Sequence, residues 1–80
     1  MLSVSDVQFQ NLTIYPNPTK DYLTFEGFNT NINVTVYDVL GKQVRVKNVT
    51  NGETLNVSEL AAGIYTIKIN NEVTSKFIKE

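Results

Sequence analysis

The chain has 80 residues, seven basic and eight acidic side chains, a formal net charge of −1, no cysteine and no histidine. That length supports one small domain, burying only about 60% of its unfolded surface, with no disulfide or thiolate metal site to supplement the core. Dispersed, balanced charge excludes a phosphate-tracking nucleic-acid surface. No apolar run reaches the roughly 18–20 residues of a membrane helix, so no transmembrane segment is expected, and the missing histidine and cysteine exclude Ser-His and Cys-His catalysis.

Met1 to Gln10 lacks the basic start, long apolar stretch and small-residue cleavage site of a signal peptide, and residues 1–10 read as a linker ahead of a domain over residues 11–80. Period-two alternation then dominates, which favours strands over helices throughout. Leu12 and Ile14 begin a short strand that Pro16 and Pro18 end, because neither can donate to a ladder, and Asn17 between them suits a tight turn. Tyr22 to Phe25 forms a second strand with Leu23 and Phe25 on one face. After the polar Asn29-Thr30-Asn31 loop, Ile32, Val34 and Val36 alternate with Asn33, Thr35 and Tyr37 in the clearest strand of the chain. Leu40-Gly41-Lys42 turns the backbone, with Gly41 expected at positive φ, and Val44 and Val46 alternate with polar residues on the return.

Asn51-Gly52 is a further turn dipeptide, followed by a strand with Leu55 and Val57 facing inward. Ser58 to Gly63 carries the sole helical hint, which Gly63 stops within about one turn, so it reads as a crossing over one end of the sheets. Tyr65, Ile67 and Ile69 alternate in a sixth strand, Asn70-Asn71 turns the chain, and Val73 to Ile78 closes it. The pattern predicts an all-β fold, a small immunoglobulin-like sandwich of about seven short antiparallel strands in two sheets. The expected core is Leu12, Ile14, Leu23, Phe25, Val34, Val36, Val44, Val46, Leu55, Val57, Leu60, Tyr65, Ile67, Ile69 and Phe77.

The eight acids fall mostly at turns and strand ends, so no carboxylate pair for general acid-base work is signalled, and no enzyme, cofactor or catalytic residue is expected. Asn29, Asn31, Asn33 and Asp38 offer oxygen ligands for calcium but lack the spacing of a calcium loop, and a solvated loop is the favoured reading. Tyr15, Tyr22, Tyr37 and Tyr65 invite a small carbohydrate-binding or adhesive module, kept as the alternative function, but the favoured reading is that they cover sheet edges, with Tyr37 on the outer face. Arg45, Lys47, Lys68 and Lys76 would share a basic outer face if their strands are neighbours. The final strand, ending at Glu80, is expected to leave an edge where a partner strand can dock.

Three short signals stand in a fixed order: Tyr15-Pro16-Asn17-Pro18-Thr19, Tyr37-Asp38-Val39-Leu40-Gly41-Lys42 and Leu60-Ala61-Ala62-Gly63-Ile64-Tyr65, ahead of a closing strand with lysines beside apolar residues. This order resembles the type A C-terminal sorting domain of the type IX (Por) secretion system of certain Gram-negative bacteria. Ala61-Ala62 stands where that family frequently has proline, and Glu80 follows the last lysine; neither alters the turn or the closing strand. The resemblance implies a non-catalytic signal on a larger secreted precursor, to which residues 1–10 are the linker. The signal would be recognised by the outer-membrane translocon, after passage through the periplasm, and then removed by a sortase-like peptidase. Its passenger would be released or held at the cell surface, with attachment to surface lipopolysaccharide possible. It further implies that Pro16, Asn17, Pro18, Gly41, Lys42, Gly63 and Tyr65 shape recognition through fold, and that Lys76, Phe77, Ile78, Lys79 and Glu80 make direct contacts. On that reading Gly63→Val abolishes sorting by unfolding the turn, and Lys76→Glu spares stability but weakens recognition.

Overall fold

The computed structural model describes residues 12–80, so the expected linker over residues 1–10 lies outside the described residues. Alternating β-branched and aromatic residues between turn dipeptides give seven strands: β1 (Thr13–Tyr15), β2 (Tyr22–Glu26), β3 (Ile32–Tyr37), β4 (Gln43–Val49), β5 (Thr54–Asn56), β6 (Gly63–Ile69) and β7 (Val73–Lys79). They pair antiparallel in a three-stranded sheet, β1-β2-β5, and a four-stranded sheet, β4-β3-β6-β7. This is the immunoglobulin-like arrangement with the fourth strand beside the third. The helical hint at Ser58 is a turn, closed by the Leu60 amide donating to the Val57 carbonyl at 3.0 Å.

Cross-strand register fixes which side chains meet. Ile32 faces Val49, Val34 faces Ile69 and Val36 faces Ile67, while Tyr65 and Phe77 are neighbours on β6 and β7. On the other sheet Leu23 faces Leu55 and Ile14 faces Phe25, and the two apolar faces close on one another. Burying these side chains supplies the folding drive, at roughly 1.5–3 kcal/mol for each large apolar group before chain entropy is subtracted. Most of the expected core is buried or packed against it, with Leu12, Ile14, Val44 and Leu60 partly buried.

One expected core residue is corrected. Val46 is 55% exposed, because it pairs with Thr35 on the outward face of its sheet. A bulge opposite Val36 and Tyr37 inserts one residue into β4, so Val44 and Arg45 both lie between outward Gln43 and Val46. Phe28, Ile32 and Val49 complete the core in its place. The bulge separates the basic residues as well: Arg45 and Lys47 face the inner side of β4, opposite Val36 and Val34, whereas Lys68 and Lys76 face outward. The four therefore share no common basic face.

Candidate functional site

Chain direction brings the three motif segments together. The ends of β1, β3 and β7 and the starts of β2, β4 and β6 lie at one end of the sandwich, as shown by Tyr37 against both Gln43 and Thr66, Gly63 against Lys79, and Thr19 against Lys79. The asparagine-rich loops around Asn29, Asn51 and Asn70 lie at the opposite end.

At the motif end, the first segment crosses from the small sheet to the free edge of β7. Both Pro16 and Pro18 follow cis peptide bonds. The Asn17 side chain acts as a miniature strand: its Oδ1 accepts from the Ile78 amide at 3.0 Å and its Nδ2 donates to the Lys76 carbonyl at 3.4 Å. Thr19 continues in parallel, its amide donating to the Ile78 carbonyl at 2.9 Å and its carbonyl accepting from the Glu80 amide at 2.8 Å. Thr19 is buried, and its hydroxyl donates to the Tyr22 carbonyl at 2.6 Å. The edge expected to be open is thus latched over its last residues.

The second segment is a turn held by one carboxylate. Asp38 Oδ1 accepts from the Leu40 and Lys42 amides, each at 2.9 Å, and the Gly41 amide donates to the Asp38 carbonyl at 3.0 Å. Gly41 has φ +84°, which glycine adopts without steric cost. The Lys42 side chain is exposed, and its backbone does the holding. Val39 and Leu40 project from this rigid turn at 77% and 89% exposure. Asp38 and the asparagines Asn29, Asn31 and Asn33, considered as calcium ligands but read as a solvated loop, sit at opposite ends of β3. Asn33 is occupied with Asn48 and Thr35, and no group of three or more acidic side chains among the described residues is placed to hold a metal.

The third segment is a tyrosine corner. The Tyr65 hydroxyl donates back to the Ala61 carbonyl at 2.6 Å, while its ring stacks on Phe77 with centroids 5.3 Å apart. Gly63, φ +155°, starts β6 between these two anchors. Sequence spacing marks Leu60 to Tyr65 as a unit, but only the structure shows that a four-residue reach lets the hydroxyl satisfy a loop carbonyl.

Of the five residues expected to make direct contacts, the strand divides them by alternation. Lys76, Ile78 and Glu80 are exposed, whereas Phe77 is 1% and Lys79 7% exposed. Phe77 lies under Tyr65, and Lys79 Nζ donates to the Glu80 carbonyl at 2.9 Å. A partner meeting the folded surface therefore reaches the first three, not Phe77 or Lys79. An apolar hollow of about 240 Å³, lined by Asn17, Ile64, Lys76, Phe77 and Ile78, adjoins them.

The tyrosines are dispersed. Tyr37 is outward, as expected, with Lys68 Nζ 5.9 Å over its ring centroid, but Tyr15 and Tyr22 are more exposed and stand on the outer face of the other sheet. The Glu26 carboxylate accepts from the Tyr15 hydroxyl and pushes its pKa up. These rings form no single aromatic platform.

A model of the protein family described as "secretion system C-terminal sorting domain" matches residues 13–80. No curated protein sequence matches the chain. Among solved structures it is similar to PorZ of Porphyromonas gingivalis, described as an essential bacterial surface component of the type-IX secretion system. The TM-score is 0.71 at 17% identity, covering 98% of this chain and 12% of that one. At that identity the likeness shows a shared fold. The chain spans a small part of that protein's length.

Proposed function

The chain belongs to the secretion system C-terminal sorting domain family, the secretion signal of the type IX system, and on that premise we propose how its fold serves as the signal. Its function is to direct a passenger to the cell surface or beyond. The domain performs no chemistry of its own; it presents a shaped end. The observation that supports this reading is the convergence of all three motif segments and the last strand at one end of the sandwich.

In this reading the precursor crosses the periplasm with the domain folded, and the outer-membrane translocon reads the motif end. Pro16, Asn17, Pro18, Gly41, Lys42, Gly63 and Tyr65 hold that end in shape. Lys76, Ile78 and Glu80 offer side chains to the partner, and Phe77 and Lys79 keep the strand seated. A sortase-like peptidase then cuts at or before residues 1–10, ahead of the sandwich, and the passenger is released or attached to surface lipopolysaccharide.

Two measurements test the finer steps. Mass spectrometry of a surface-recovered passenger should find its new C-terminus at or before residue 10; a mature passenger still carrying the whole domain refutes removal. The isolated chain should pass unretained through immobilised glycans, whereas specific retention would favour the carbohydrate-binding alternative.

A further inference from the structure

The latch covers only part of the β7 edge. All of β7 runs in register beside β6, and the bonds made by Asn17 and Thr19 show that its even-numbered residues turn their backbone groups to the free edge, which by antiparallel alternation leaves those of the odd-numbered residues to face β6. Asn17 and Thr19 occupy the Lys76 carbonyl, both Ile78 groups and the Glu80 amide. By the same alternation the Thr74 amide, the Thr74 carbonyl and the Lys76 amide point outward next in line, and no described residue pairs with them. An unpaired row of this kind templates strand addition.

The side chains beside this row select what is added. The outward residues of β6 and β7 are Ile64, Thr66, Lys68, Thr74, Lys76 and Ile78, two of them cationic and none acidic. The ion pair recorded among the described residues, Arg45 with Glu59 at 3.5 Å, involves β4 and leaves Lys68 and Lys76 without a carboxylate. The apolar hollow beside Ile64 and Ile78 lies where the latch and the open row meet.

Resting on the reading above, we infer that the Val73–Lys76 stretch of the β7 edge takes up an extended, carboxylate-bearing strand of a protein of the export machinery. The added strand runs in line with Asn17–Thr19, pairs its backbone with Thr74 and Lys76, and sets an acidic side chain beside Lys76. It places an aliphatic one over the hollow. Charge complementarity selects the strand and backbone pairing fixes its register.

The test is export of a passenger fused to the full chain carrying Thr74→Pro, compared with wild type and with the Lys68→Glu, Lys76→Glu double variant. Proline at an outward-facing edge position removes no ladder bond, so the fold is retained, as circular dichroism would check. Export by Thr74→Pro should fall about tenfold, the factor expected when one ordinary hydrogen bond is lost. The double variant should fall as well. Wild-type export with an unaffected Thr74→Pro overturns strand addition; loss in the double variant alone would assign recognition to charge, as by an anionic saccharide. No wild-type export would refute the sorting reading instead. Should Thr74→Pro fail to fold, hydrogen exchange of the wild-type Thr74 and Lys76 amides decides. They should slow with outer-membrane vesicles from a host that has the type IX system and not with vesicles lacking it. Equal exchange with both overturns the inference.

Discussion

Replacing Asn17 with alanine removes the side-chain half of the latch while leaving the Thr19 backbone bonds in place. Of its two contacts, the 3.0 Å bond to the Ile78 amide lies in the ordinary range, and the 3.4 Å contact to the Lys76 carbonyl is too long to add much. One exposed bond of this kind stabilises by about 1 kcal/mol, so the melting temperature should fall by about 4–8 °C in a domain of this size. Thermal unfolding followed by circular dichroism at fixed protein concentration reads this directly. Asn31→Ala, in an exposed loop, should fall within about 0.5 kcal/mol of wild type. An unchanged melting temperature in Asn17→Ala would refute the strand-mimic argument.

Tyr65→Phe keeps the ring on Phe77 but strands the Ala61 carbonyl, and should cost about 1 kcal/mol, read as a lower urea midpoint with unchanged slope. For Gly63→Val an added Cβ meets open space, so the penalty is conformational, from φ +155°, at about 1–3 kcal/mol. Export should fall with the folded fraction, and a well-folded but unsorted variant would contradict the assignment of Gly63 to fold. The Thr50 amide, and then its hydroxyl, hold the Glu53 carboxyl below the ordinary carboxylate range. A depressed folded-state pKa contributes stability above the unfolded value, and that contribution is lost as pH falls through the folded one. Glu53→Gln should therefore show a shallower acid limb than wild type in urea midpoints; parallel limbs would show that the turn carboxylate is uncoupled from folding.

The strands and most of the core were legible because alternation reports directly which face is buried. Val46 was not, since the bulge that turns it outward depends on pairing with β3 and leaves no local signal in Gln43 to Lys47. The motifs were legible as turns, but their convergence on one end is a property of topology. Asn17 read as a turn residue because its neighbours are prolines; its real partners are 59 and 61 positions away. The last strand carries a warning for experiments. Phe77 is fully packed, and truncating such a side chain costs about 3–5 kcal/mol, comparable to the whole stability of a small domain. Deleting Lys76–Glu80 would thus unfold the domain and say little about recognition, whereas Lys76→Glu changes an exposed charge on an intact strand.

The most direct test of the sorting role is to fuse the full chain behind a fluorescent passenger that carries a signal peptide, and to fractionate cells of two hosts that differ only in possessing the type IX system. Fluorescence at the surface or in the medium of the proficient host, with periplasmic retention in the deficient one, is the predicted result. Periplasmic retention in both, with the fused domain shown to be folded, would contradict it.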